Sequence, residues 1–149
     1  MAETLGSLCD KLTVVKLKQW HTKNKFHLSS LRKQEKQLQK EMEEFLQATI
    51  TGKIPLSRLT FDSHKVYRKR GNIVDDVFGN IGEVFSELCK VNCSLWHEQE
   101  KVYTFEKIPA KQKNTVVKKL AILNLKRNKC IDSIDGQFKK AIKKMRRKQ

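Results

Sequence analysis

Proline and glycine are scarce in this sequence, with two prolines and six glycines among 149 residues. Sandwiches and barrels need many turns, and turns draw heavily on these two residue types. The chain therefore lacks the material for an all-β fold. No run approaches the roughly 20 apolar residues of a membrane-spanning helix, and the N-terminus lacks the apolar core of a secretory signal. We expect a cytoplasmic protein without a membrane span.

Motifs of catalysis and of cofactor binding are also missing. We find no phosphate loop, no dinucleotide fingerprint, no Ser-His-Asp order and no paired carboxylates for hydrolysis. Cys89, Cys93 and His97 step by four along the chain, but zinc sites usually use Cys-x2-Cys or His-x3-His spacing. We predict no metal and no cofactor. The sequence favours a non-enzymatic protein but does not decide whether it is an enzyme.

Positive charge is abundant. The chain has 32 Lys and Arg against 16 Asp and Glu, a formal net charge of +16. Such a field favours a nucleic acid or another polyanion, including an acidic surface, although lysine also serves simply as a solvated helix residue. The candidate anion-binding residues are Lys65, Arg68, Lys69, Arg70, Lys143, Lys144, Arg146 and Arg147. Few aromatic residues lie among them, so phosphate contact would dominate over base stacking.

Apolar residues recur at helical spacing in two blocks and predict an all-α fold. The first hairpin spans 5–50, with Ser29 or Ser30 as the cap of its second helix. Thr51-Gly52 followed by Pro55 ends that helix. A long middle loop then covers 51–72.

The second hairpin is predicted over 73–138, with its last helix beginning near Thr115. A basic C-terminal tail follows over 139–149. We therefore expect a single domain, 1–149, folded as an antiparallel four-helix bundle made of two helical hairpins.

A Trp-His pair marks each hairpin, at Trp20-His21 and at Trp96-His97. Offsetting the chain by 76 residues aligns both pairs, together with two leucine and valine matches, which indicates an internal repeat or a chance match of amphipathic helices. We expect both tryptophans to cover the end of the bundle near its turns. The alternative is that His21 and His97 line one polar pocket between the hairpins.

Within the last predicted helix, polar residues also recur at helical spacing. This spacing places them on one face, beside the apolar stripe. Asn and Asp are poor choices for the middle of a solvated helix, so a buried network is expected. Arg127 would pair with an acid, and Asn92, Asn128, Asp132 and Asp10 would share hydrogen bonds, either as structure or as a ligand pocket. The candidate pocket residues are Asp10, His21, Asn92, His97, Asn124, Arg127, Asn128, Asp132 and Asp135.

These motifs resemble an uncharacterised, mostly bacterial family of helical domains of unknown function. The pattern comprises Leu88, Val91-Asn92, Leu95-Trp96-His97, Glu100, Leu123-Asn124, Arg127-Asn128, Ile131-Asp132 and Ile134-Asp135, with Asp10-Lys11-Leu12 and Trp20-His21 in the first helix. The resemblance covers most of both hairpins, but neither 53–72 nor the basic tail. It implies that the polar residues of the last helix belong to the motif. The family's activity is not established, and some members are associated with cell-surface polysaccharide genes.

Two functions remain in view. The first is a non-enzymatic interaction module for an anionic partner, held by the middle loop and the tail. The alternative is a ligand-binding domain or an unrecognised enzyme that uses the polar interhelical pocket, linked to cell-surface polysaccharide metabolism. A protein partner or a homo-oligomer is left open by the sequence.

Overall fold

The computed structural model describes residues 3–61 and 74–148, and it confirms the all-α bundle of two helical hairpins. Short 3-10 turns lie in the two longer connections, and none of the described residues forms a β-strand. The four helices are α1 (Leu5–His21), α2 (Lys25–Ile50), α3 (Ile81–Val102) and α4 (Ala110–Arg146). None of them, within these ranges, is long and apolar enough to cross a membrane.

Side-chain caps fix where the helices of the first hairpin begin. Thr4 caps α1 and exchanges hydrogen bonds with Ser7, so two otherwise unsatisfied N–H groups are bonded. Asn24 caps α2 by accepting two backbone N–H groups of the first turn, at 2.9 and 3.1 Å. The predicted cap at Ser29 or Ser30 is therefore wrong, because Asn24 already starts the helix one turn earlier.

The second hairpin begins later than predicted, because α3 starts at Ile81 and not at residue 73. Gly79 has φ of +117°, which interrupts any helix that reaches it. Asn80 and Glu83 then form a capping box, with side-chain to backbone bonds of 2.7 and 3.0 Å. Val77 packs against the core from the non-helical segment. At the other end of the hairpin, α4 starts at Ala110, one turn before Thr115.

The core lies where α1 meets α3 and α4, with α2 laid over its edge. α1 contacts all three other helices, whereas α2 packs mainly against α1. The C-terminal half of α2 nevertheless reaches the core, since the Phe45 ring lies 6.3 Å from that of Phe138. The central cluster consists of Leu5, Cys9, Val84, Leu88, Cys130 and Ile134.

The predicted basic tail is part of α4, which continues to Arg146. Phe138 and Ile142 keep the apolar stripe at a spacing of four, and Ile142 is buried. The Arg146 guanidinium donates to the carbonyl oxygens of Thr49 (2.6 Å) and Ile54 (3.0 Å). The end of α4 is thereby attached to the end of α2, so composition alone misjudged this segment.

Replacing Gly6 with alanine tests the close approach of α1 to α4. An added Cβ would lie 2.6 Å from the carbonyl oxygen of Ile131, which is backbone and moves little. We expect a loss of about 1–3 kcal/mol in the free energy of unfolding, measured by urea denaturation. Gly136→Ala is the matched control, because nothing lies within 4 Å of its added Cβ and the same change inside a helix should stabilise by about 0.5–1 kcal/mol. Equal effects at the two positions would contradict the packing described.

Candidate functional site

Three of the predicted pocket residues meet in one polar network between α1, α3 and α4. Arg127 Nε donates to Asp10 Oδ1 at 2.7 Å, and its Nη2 donates to Asp10 Oδ2. Asn92 Nδ2 donates to the same Oδ1 at 2.9 Å and to the Thr13 hydroxyl at 2.6 Å. Asp10 and Asn92 are both buried. The network thus joins residues that lie up to 117 positions apart in the sequence.

The hydrogen bonds of this network join its members to one another. Both oxygens of the Asp10 carboxylate accept from Arg127, in the two-point geometry that suits a guanidinium. The Asp10 carboxylate raises the pKa of Arg127, chiefly through the hydrogen bond. A carboxylate already bonded at both oxygens has little capacity for a ligand. The arrangement instead fixes the register of three helices.

Asp135 forms a separate buried site at the start of α1. Its Oδ1 accepts the Gly6 N–H at 2.7 Å, and the residue is 1% exposed. Burial raises the pKa of Asp135 to about 6, and the charge of Asp132 adds to this, while bonds from Thr4 and Gly6 oppose it. Asp135 lies eight residues from Arg127 along α4, or about 12 Å. It caps α1 from another helix and does not join the network.

The two histidines lie together at the far end of α1. The His21 ring stacks on Trp96 with ring centroids 4.8 Å apart. It also lies edge-on to the His97 ring, with centroids 6.1 Å apart. Trp96 Nε1 donates to Glu100 at 2.9 Å. Both histidines are exposed. Eleven residues of helix separate Asp10 from His21, about 16 Å, so the histidines do not flank the network.

Trp20 does not cover the end of the bundle, and that prediction is wrong. Its side chain is 86% exposed, whereas Trp96 is half-buried under His21. Adjacent residues on a helix project about 100° apart, so the contact of His21 with Trp96 turns Trp20 away from it. The two tryptophans that align in the sequence repeat therefore have different surroundings.

The remaining pocket candidates lie along α4. Asn124 is exposed and donates to the Leu120 carbonyl oxygen of its own helix at 3.1 Å. Asn128 and Asp132 are half-buried, between Arg127 and Asp135. The nine predicted residues are thus spread over a closed network, a helix cap, an exposed ring stack and the side of α4. The nine do not surround one cavity, although Asn92, Asn124 and Arg127 line one of about 210 Å³ between α1, α3 and α4.

A continuous groove follows α1 and α2 on the outside of the bundle. Its larger part, about 620 Å³, is lined from Asp10 and Lys11 of α1 across to Gln37 of α2. A second part of about 390 Å³ shares Lys18 and Gln34 with the first and continues to the turn between the helices. The second part is lined by Lys18, His21, Thr22, His27, Ser30, Leu31, Gln34 and Trp96. The second part therefore carries one lysine among several hydrogen-bonding side chains, whereas the larger part carries four cations and Asp10.

Among the predicted anion-binding residues, three are available at the end of α4. Lys143, Lys144 and Arg147 are exposed, while Arg146 is committed to the two carbonyl oxygens of the α2 end. The other four candidates fall outside the described residues. They are Lys65, Arg68, Lys69 and Arg70.

A second basic segment was missed by the sequence reasoning. Residues 11–34 contain seven Lys and Arg and no acidic residue, between Asp10 and Glu35. Lysine is typical of the solvated face of a helix, so no single lysine of this segment stands out. The signal that would have found it is the missing negative charge over 24 residues, not the density of lysine. Phe26 lies in this segment with Trp20, and its side chain is 87% exposed.

The cysteines show no catalytic or metal-binding arrangement. Burial raises the pKa of Cys9 and of Cys130 to about 11, so both thiols stay protonated and pack as small apolar groups. Over residues 3–61 and 74–148, no three His, Cys, Asp or Glu side chains are placed to hold a metal ion.

No family model, no curated protein and no solved structure matches the chain. A functional interpretation therefore has to be argued from the residues themselves.

Breaking the Asp10–Arg127 pair should be costly, and removing both partners should not. Arg127→Met leaves a buried carboxylate without its counter-ion, which we expect to lower the free energy of unfolding by about 3 kcal/mol. The double variant Asp10→Leu/Arg127→Met should recover most of that loss. Urea denaturation of both variants measures it. If Arg127→Met were as stable as the parent protein, the structural role of the network would be excluded.

Asp135 should make stability depend on pH in the unusual direction for a carboxyl group. The folded state binds this proton more tightly than the unfolded chain, because the folded pKa of about 6 lies above the ordinary 3.8. Its contribution to stability therefore falls as pH rises from about 4 to about 6, by up to roughly 3 kcal/mol. Asp135→Asn keeps the acceptor for Gly6 without a charge. The melting temperature of the variant should gain on the parent as pH rises through that range, and a constant difference from pH 4 to 8 would refute this.

Proposed function

We propose that the protein is a non-enzymatic helical module that binds a nucleic acid through exposed cations at the two ends of its bundle. One observation carries this proposal: cations in the middle of α4 are paired with acidic side chains, whereas those exposed at the two ends have no acidic partner among the described residues. At the ends these are Lys18, Lys23 and Lys25 near the α1–α2 turn and Lys140, Lys143, Lys144 and Arg147 of α4, while Lys11 and Lys16 pair with Glu3 and Glu35. Residues 11–34 and 136–149 contain seven Lys and Arg each and no acidic residue. A nucleic acid supplies a regular array of phosphates to such surfaces.

The cations in the middle of the bundle are paired within the protein. Lys126 of α4 bonds to Glu87 of α3, and Lys129 bonds to Asp76 at 2.8 Å. Arg127 is held by Asp10 in the same stretch of helix. These three residues lie within about one turn of α4, so this part of the helix presents little free positive charge. A purely compositional excess of lysine would not produce this division between the middle and the ends.

The end of α4 is built for phosphate contact. Lys140, Lys143, Lys144 and Arg147 are exposed, and the helix that carries them is held in place through Arg146. Spacings of three and four put these four side chains on one side of the helix. Because they sit on a helix and not on a disordered tail, they would meet a polyanion with little loss of backbone entropy.

The alternative, a ligand-binding domain or an enzyme with a polar pocket, has less support. Three of the nine residues expected to form that pocket line one small cavity and the other six do not, and the Asp10 carboxylate is occupied by Arg127. A cytoplasmic location, a link to cell-surface polysaccharide metabolism and a homo-oligomer stay predictions.

The triple variant Lys143→Gln/Lys144→Gln/Arg147→Gln tests the proposal. Each lost phosphate contact reduces the salt dependence of binding, so the slope of log K against log salt for a DNA duplex should become less negative by roughly 2 to 3. Affinity at low salt should fall, as measured by fluorescence anisotropy. Circular dichroism would verify that α4 remains folded.

A control of equal charge removes lysines that are already paired with acidic side chains. Lys40→Gln/Lys90→Gln/Lys101→Gln lowers the net charge by the same three units, at the partners of Glu44, Glu87 and Glu98. This control should retain nearly the parent slope. If both variants lose affinity equally, net charge alone explains binding and the α4 surface is not a site. If the parent protein binds no duplex at low salt, the proposal is wrong.

A further inference from the structure

Two aromatic side chains project into solvent at the turn between α1 and α2. Trp20 is 86% exposed and Phe26 is 87% exposed, the highest values among the large apolar residues that the structure describes. They lie on either side of the three-residue connection 22–24. Two large rings left in water at one turn of a small bundle are unfavourable unless a partner covers them.

The surroundings of these rings are basic. Lys18, Lys23 and Lys25 are exposed around the turn, and no acidic residue occurs in the sequence between 11 and 34. An apolar protein surface would not match lysines so close to the contact. The charge favours a partner that combines negative groups with flat apolar faces.

The groove between α1 and α2 continues from this turn along the bundle. Lys18 and Gln34 line both of its parts, and the half-buried Trp96 lies at the end nearest the turn. From His21 back to Lys11 the groove follows ten residues of helix, about 15 Å. That length accommodates about four stacked nucleotides at 3.4 Å each. Gln34, Gln37 and Ser30 provide amide and hydroxyl groups that suit base edges.

We propose that the α1–α2 turn and the adjoining groove bind single-stranded nucleic acid, with phosphates held by Lys18, Lys23 and Lys25. Bases stack on Phe26 and on Trp20, which lies on the side of α1 turned away from the groove, beside Phe85 and Cys89 of α3. Unpaired bases expose the faces that aromatic side chains stack on, whereas a duplex hides them. The groove lies between two packed helices whose axes are about 8–10 Å apart, too narrow for a duplex but open to one strand. A membrane surface would accept the rings, but it gives no role to the polar groove.

This inference rests on the proposed function and deepens it at one end of the bundle, whereas the test of the proposed function is made at the end of α4. The end of α4 lies at the opposite end of the bundle, since Arg146 contacts the last turn of α2 and His21 contacts the last turns of α3. α2 spans 26 residues, so roughly 40 Å separates the two surfaces. Each surface can therefore fail independently.

The test uses the full chain and a labelled oligo-dT of about 12 nucleotides, with a duplex of the same length alongside. Trp20→Ala and Phe26→Ala should each weaken binding to the single strand at least about fivefold and leave duplex binding unchanged. Phe78→Ala is the matched control, because the Phe78 ring is similarly exposed (83%) but lies away from the α1–α2 turn. Its neighbour Gly79 accepts a hydrogen bond from Gln137, in the C-terminal part of α4. That variant should bind oligo-dT like the parent.

Three outcomes would overturn the inference. If Trp20→Ala and Phe26→Ala bind oligo-dT like the parent while the α4 triple variant loses duplex binding, the turn is not a site and the proposed function stands. If neither the single strand nor the duplex binds, both proposals fail. If the parent binds phosphatidylserine vesicles through Trp20 and Phe26 but not oligo-dT, the turn contacts an anionic lipid surface and not a nucleic acid.

Discussion

The fold depends on the close contact between the first half of α1 and the middle of α4. Gly6 lets the two backbones approach to a distance at which a Cβ would overlap the Ile131 carbonyl oxygen. Asp135 accepts the Gly6 N–H and so caps α1. One turn further along α1, Asp10 accepts hydrogen bonds from Arg127. Since both acids are buried, each must be matched by donors in the correct place, and this fixes the rotation and register of α1.

This contact also determines where the proposed binding surfaces lie. With α1 held against α3 and α4, α2 has only the outer side of α1 and the edge of the core to pack against. The groove between α1 and α2 therefore opens to solvent, and the turn that joins them carries Trp20 and Phe26 outward. Asp10, Asn92, Arg127 and Asp135, which were predicted to form a ligand pocket, hold the helices together. The proposed binding uses side chains that the scaffold leaves in water.

The number of helices and their pairing could be predicted from the sequence, because apolar spacing reports the buried face directly. The start of α3 could not, since Val77 continues the apolar spacing although it packs from a non-helical segment. The end of α4 was missed because its lysines suggested a tail, while Ile142 alone marks the buried side. The pairing of Arg127 with Asp10 depends on how two helices that are distant in the sequence face each other. The spacing of residues along one helix does not give this information.

The central claim is that nucleic acid binds at the acid-free ends of the bundle and not at the buried polar network. The most direct test is an NMR titration of the ¹⁵N-labelled full chain with oligo-dT, following backbone amides and the two tryptophan indole N–H signals. The account predicts shifts confined to the region around 10–38, to Arg127 on the groove wall and to 140–148, with the Trp20 indole among the largest. Shifts centred on Asn92 and Asp135, or none at all, would contradict it.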